Sequence, residues 1–170
     1  MDDVARQSEC ARLAERLEAH FLDVQARAMK DVPICNENLA VASAGFRPWR
    51  EWAVGIVVTP WFMNIVAAPF AGAPPVAVAA GATQSLSLPA GEVAFLAADL
   101  EGFDRLLMCS LFSPMQDFAD HEAALATARA SLDLLLAPPP PEIPVPEVPA
   151  PNLDRRAFFR RAFVPAGAAS

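Results

Sequence analysis

Apolar positions recur at three- and four-residue steps through residues 4–30. Cys10, Leu13, Leu17, Phe21, Val24 and Ala28 fall on one side of a helix, with Glu15, Arg16, Glu18 and Arg27 off it. Pro33 sets its limit. The period then shortens to two. Ala40, Ala42, Ala44 and Phe46 alternate, and Arg47-Pro48 predicts a turn. Val54, Ile56 and Val58 alternate again with Val57 between them, the pattern of a strand near a sheet centre. Thr59-Pro60 favours a bend, after which Asn64 to Ala68 predicts the partner strand of a wide-tipped hairpin. Residues 71–82, rich in Ala, Gly and Pro, predict a loop. Gln84 to Leu88 and Val93 to Leu96 flank Pro89-Ala90-Gly91, a second hairpin, and Leu106 to Leu111 is a further strand. Ser113-Pro114-Met115-Gln116 predicts a helix start with an S-x-x-Q capping box. Phe118, His121, Leu125, Ala128, Leu132 and Leu135 form that helix's stripe, which ends before Pro138.

The pattern is that of an α+β domain over residues 1–137: an N-terminal helix, a mostly antiparallel sheet built of hairpins, and a C-terminal helix. Residues 138–151, "PPPPEIPVPEVPAP", are more than half proline and predict a stiff polyproline II linker. A short basic tail follows over residues 152–170. It holds four arginines against Asp154, net +3, which leaves net −10 for the rest of a chain whose formal charge is −7.

That acidity excludes nucleic acid as a partner, because phosphates call for a net basic face. No charge lies between Glu51 and Glu92, which raises the question of a membrane. A spanning helix needs about 20 apolar residues without breakers, and Pro60, Pro69, Pro74 and Pro75 interrupt this stretch, so stable membrane insertion is not expected. The opening Met-Asp-Asp carries neither a basic nor an apolar leader, so no export signal is expected there. Cys10, Cys35 and Cys109 are far apart and odd in number, which suits buried thiols in a reducing cytoplasm.

No catalytic constellation emerges. His20 and His121 stand outside any metal-ligand spacing. Cys109, in a strand-like run with no partner histidine, reads as a small core residue. Asp117 and Asp120 complement a helix dipole, and no glycine-rich phosphate loop is present. The expectation is a non-enzyme without cofactor or metal that recognises another protein. Its candidate surface is Trp61, Phe62 and Met63, with Trp49 and Trp52 as possible neighbours. Buried, that triplet is core; exposed at a hairpin tip, it is an aromatic and thioether surface suited to apolar peptide segments.

The runs "GFRPW" (45–49), "VVTPWFMNIV" (57–66), "LPAGEVAFLAA" (88–98) and "CSLFSPMQDFAD" (109–120), with the Ala/Leu-rich closing helix, resemble the HybE/HupJ family of nickel–iron hydrogenase assembly chaperones. The resemblance covers about residues 8–137. It implies a cytoplasmic accessory protein that binds the precursor large and/or small subunit of a nickel–iron hydrogenase and holds back twin-arginine export until assembly is complete. It also implies neither metal nor catalysis. His121 stands where the family pattern leads one to expect glutamine, and "AAPFAGAPP" replaces a shorter turn. Two other classes remain: a small metal- or redox-delivery accessory protein, with ligands converging on Cys109 and His121, or a structural interaction subunit using the uncharged 53–91 stretch.

The tail run "DRRAFFR" (154–160) is similar to the twin-arginine signal pattern S/T-R-R-x-F-L-K, with Asp154 for the hydroxyl residue and Phe159 for leucine. A working signal is N-terminal and precedes a long apolar segment, so this copy is not expected to direct export. Arg155, Arg156, Phe158 and Phe159 form either an amphipathic helix docked on the acidic body, a pseudo-signal that competes with a client's signal peptide, or an unstructured end.

Overall fold

The structure is a computed structural model that describes residues 2–138. Helix α1 spans Asp3–Val24 and widens into a π-turn over Gln25–Met29. Six strands follow: β1 (Ala42–Trp49), β2 (Trp52–Val58), β3 (Met63–Pro69), β4 (Thr83–Leu88), β5 (Gly91–Ala98) and β6 (Leu106–Phe112). Helix α2, His121–Leu136, closes the domain. The strands form one sheet in the order β1-β2-β3-β6-β5-β4, every neighbouring pair antiparallel. This is the α+β architecture that the hydrophobic pattern predicts.

The two helices lie on opposite faces of the sheet. Leu13, Leu17 and Phe21 of α1 pack with Val57, Val66 and Leu106 on one face; Ala124, Ala128 and Leu132 of α2 pack with Val54, Ile56 and Ile65 on the other. Strand β2 is covered from both sides and buried from Ala53 to Val58, which is why its apolar run is continuous rather than alternating. Ala28, on the predicted helix stripe, is exposed: the π-turn adds residues to the last turn and rotates the stripe away from the sheet.

Three local expectations are corrected. The turn predicted at Arg47-Pro48 lies at Arg50-Glu51, and β1 continues through Pro48. With Trp49 and Trp52 flanking that two-residue turn, Pro48 falls where a strand's N–H points away from its partner, and β1 is an edge strand, so the missing donor costs nothing. The predicted alternation of Ala44 and Phe46 also breaks. Gly45, at φ 65°, carries a bulge that sends Ala44 to the α2 face and Phe46 to the α1 face. Finally, the closing helix starts at His121, not after Ser113. Asp120 is its cap and accepts from the Ala123 N–H at 2.8 Å, leaving Phe118 outside the helix. Residues 113–120 instead form a loop pinned from afar. The side-chain amide of buried Asn36 donates to the carbonyls of Met115 (3.0 Å) and Phe118 (2.9 Å), and Met115 is fully buried. Of the predicted linker only Pro138 is described, and the tail of residues 152–170 lies outside the described residues.

Candidate functional site

The β2–β3 hairpin tip is built around Thr59. This side chain is completely buried, and its hydroxyl oxygen accepts from the backbone N–H groups of Trp61 (3.2 Å) and Phe62 (2.9 Å). The Thr59 N–H donates to the Phe62 carbonyl at 2.8 Å, closing the turn. Pro60 is buried, and its carbonyl accepts from the Asn36 N–H at 2.8 Å. Thus Asn36 ties the tip, its own loop and the segment ahead of α2 into one unit. Sequence reasoning missed this residue, because an amide in the run Cys-Asn-Glu-Asn looks like any loop asparagine.

Held in this way, the backbone presents Trp61 and Phe62, both half-buried, on the α1 face. Their rings meet edge to face at 5.7 Å, and Phe62 meets Phe21 of α1 in the same manner at 5.2 Å. The row continues through His20 to Phe103, the latter pair at 5.7 Å, and ends where the Arg16 guanidinium lies 4.4 Å from the Phe103 ring centre. A ridge of edge-to-face rings therefore runs from the hairpin tip along α1. His20 and Phe103 carry no sequence signal for it, being far apart in the chain and ordinary in composition.

The structure divides the four candidate residues. Met63 is fully buried and belongs to the opposite face, packed with the α2 core. It is the first residue of β3 and pairs with Val58, so strand alternation turns it inward where Trp61 and Phe62, in the tip, escape. Trp49 lies beside the Arg50-Glu51 turn, at the other end of β2 from the tip, about 20 Å away at ~3.3 Å per residue. It packs with Trp52 against the α2 face. Trp61 and Phe62 come together; Met63 and Trp49 do not join them.

Two further features adjoin the tip. Asn64 follows Met63 and returns to the α1 face, half-buried opposite Ser110, and its side-chain carbonyl oxygen is buried without a hydrogen-bond donor among the described residues. A cleft of about 960 Å³ lies beside Pro60, lined by Leu22, Met29, Val32, Cys35 and Leu39. The π-turn supplies one wall by placing Met29 there.

The fold and this tip can be set beside known proteins. A family model described as "NiFe-hydrogenase assembly, chaperone, HybE" matches residues 12–161. The chain belongs to this family. Among curated HybE-family relatives, the hydrogenase expression/formation protein HupJ of Bradyrhizobium diazoefficiens is 44% identical over 125 residues, covering 72% of this chain and 70% of that one. Protein HoxT of Cupriavidus necator is 35% identical over 144 residues, covering 75% and 78%. The solution structure of HybE from Escherichia coli has the same fold, with a TM-score of 0.59 at 24% identity over 82% of this chain and 86% of that one. The family's description is that of a chaperone for nickel–iron hydrogenase assembly.

The remaining chemistry in this HybE-family chain is quiet. Burial pushes the thiol of Cys10 up to about 11 and raises those of Cys35 and Cys109, which disfavours the reactive thiolate. Cys109 is half-buried rather than enclosed. His121 accepts from the Ala40 N–H at 3.3 Å. Among the described residues no group of three or more His, Cys, Asp or Glu side chains converges as metal ligands, and no helix is long and apolar enough to cross a membrane.

Proposed function

We propose that this chain works in the cytoplasm, holding the precursor large and/or small subunit of a nickel–iron hydrogenase during maturation and delaying twin-arginine export until assembly is complete. The observation that carries this reading is the hairpin tip. Two partly buried aromatic rings sit on a backbone that Thr59 and Asn36 fix in place, so little ordering entropy is lost when a client covers them. The cleft beside Pro60 offers Leu22, Met29 and Leu39 to apolar side chains of an extended client segment, and Lys30, Asp31 and Glu37 to polar ones. Trp61 and Phe62 are the client-facing residues, with Met63 supporting the tip from beneath. Several curated relatives have names that refer to hydrogenase expression and formation, which supports the class of client.

The tail belongs to the same reading. Arg155, Arg156, Phe158 and Phe159 stand in export-signal order on this chain itself and compete for the site that takes a client's signal peptide. Co-purification of the tagged protein from cells that make each hydrogenase precursor separately tests the function. One or both precursors should be retained by the parent and lost with Trp61→Ala. Failure to retain either precursor overturns it.

A further inference from the structure

Small side chains leave an opening beside α1. Ala53 and Ala68 are cross-strand partners at one end of the β2–β3 pair and lie on the α1 face. Neither is long enough to fill the space there. Beyond β3 the chain turns through Phe70 to Ala73, where the Ala73 N–H donates to the Phe70 carbonyl at 2.9 Å. The result is a cavity of about 480 Å³, within the range of ~300–1,000 Å³ that small-molecule sites occupy. Leu13, Ala53, Ala68, Phe70 and Leu106, all buried, give it an apolar floor. It adjoins the Arg16–Phe103 end of the ring ridge, the end opposite Trp61.

The charged groups that line this cavity are not equally engaged. Arg105 is held by the Asp99 carboxylate and the Val78 carbonyl. Glu9 accepts from the Ala71 N–H at 2.8 Å. On α1, Arg12 and Arg16 stand one turn apart and share a face. Arg16 is set in place by the Phe103 ring and by one hydrogen bond, donated to the Gly102 carbonyl, which leaves most of its five donors open. Arg12 makes no hydrogen bond or ion pair among the described residues. Nor does Asp104, on the wall ahead of β6.

We propose that this cavity binds a carboxylate carried on a small apolar body, with the carboxylate at Arg12 and Arg16 and the body on the apolar floor. A guanidinium matches a carboxylate in two parallel hydrogen bonds, and an apolar surround strengthens the attraction by keeping water away. A cation in this cavity would face both guanidinium groups, and an uncharged ligand would gain little from them. Asp104 sets the orientation, because a carboxylate on its wall would be repelled and one on the α1 wall is not. A free organic acid and the C-terminal residue of a protein chain both carry this chemistry. The inference does not rest on the client reading.

Titration of the full chain, followed by amide NMR shifts, tests it with two pairs of probes: hexanoate against hexanamide, and acetyl-Ala-Leu against its C-terminal amide. At least one acid should bind about tenfold tighter than its amide, with the largest shifts around Leu13, Phe70 and Leu106. The tighter of the two acids identifies the source, free acid or chain end. Arg12→Gln breaks no contact within the domain, so it should stay folded and weaken the acid about fivefold or more. Asp104→Asn should tighten it about twofold. Glu122→Gln, which removes the same charge from α2 on the other face of the sheet, should leave it unchanged. Equal binding of acid and amide overturns the proposal. So do binding of neither acid, shifts that miss the cavity, and an Arg12→Gln variant that binds the acid as the parent does.

Discussion

The ring of Phe46 occupies the space that a side chain at Gly55 would need. A Cβ at Gly55 would fall on three atoms of that ring, and Phe46 is held there by the bulge at Gly45, whose own Cβ would come within 2.7 Å of Leu132. The two glycines let the β1–β2 hairpin fit between α1 and α2. Gly55→Ala should therefore destabilise the domain by about 1–3 kcal/mol, the usual cost of overpacking. Denaturant titration should show a double variant with Phe46→Ala losing less than the sum of the two single changes, because the clash disappears with the ring.

Trp61 and Met63 should respond in opposite ways. Trp61 is half-buried at the tip and Met63 is fully enclosed in the α2-side core. Trp61→Ala should weaken capture of a hydrogenase precursor by about 2 kcal/mol or more while keeping most of the domain's stability. Met63→Ala should lower stability by about 2–5 kcal/mol through the cavity it leaves. Binding measured at a temperature where both variants are folded separates these effects. Equal losses of binding and stability in Trp61→Ala would make it a core residue.

Much of the fold was legible because most elements keep a local period over most of their length. The α1 stripe as far as Val24, the two hairpins and β6 need no long-range information, and the structure places all of them. What failed was decided by contacts distant in sequence. Ser113 and Asp120 both offer capping chemistry, and the choice falls to Asp120 because Asn36, 79 and 82 residues away, holds the Met115 and Phe118 carbonyls in a loop. The Ala44–Phe46 alternation failed at a single glycine. The tip motif predicts a hairpin tip and the structure has one there, but one residue of strand parity separates half-buried Phe62 from fully buried Met63. Trp49 failed for a different reason: nothing local shows that its turn lies at the other end of β2. The ridge through His20 and Phe103 exists only once α1 and the 99–105 loop are side by side.

Asn36 should behave as a structural clamp. Its side chain donates to two carbonyls and accepts from the Asn38 N–H at 3.0 Å, all while nearly buried. Asn36→Ala leaves those groups unpaired and should cost about 1–3 kcal/mol. Limited proteolysis should find the new cleavage sites within residues 113–120, with the β4–β5 hairpin still resistant.

Alkaline pH should weaken the domain through Cys10. Burial, reinforced by the nearby Glu9 carboxylate, holds the Cys10 thiol up to about 11, whereas an unfolded cysteine ionises near ~8.5. Between these values the unfolded chain has released a proton that the folded chain keeps, so rising pH favours unfolding. The contribution is fully present below about pH 8.5 and reaches a loss of about 2 kcal/mol by pH 10. Urea midpoints at pH 8 and pH 10 should differ less in Cys10→Ala than in the parent. An equal shift in both would show that the alkaline loss comes from other groups.

The tail prediction turns on charge. Residues 152–170 carry net +3 beside a remainder of net −10, and Arg155 and Arg156 hold half of the tail's positive charge. A tail that competes on the same chain would act at a high effective concentration, so even weak affinity would keep a signal-peptide site occupied. On the proposed function, a complete precursor would displace it through the additional contacts of its folded subunit, which a free peptide lacks. Arg155→Ala with Arg156→Ala, or removal of residues 152–170, should therefore raise affinity for an isolated twin-arginine signal peptide several-fold and leave affinity for a complete precursor nearly unchanged. Because such competition would rest on attraction between opposite charges, the parent's deficit should shrink as salt shortens the Debye length from about 10 Å at 0.1 M to about 3 Å at 1 M. Isothermal titration at low and high salt reads both effects. If the double-arginine variant binds the isolated peptide no better than the parent at low salt, the tail does not compete for the site.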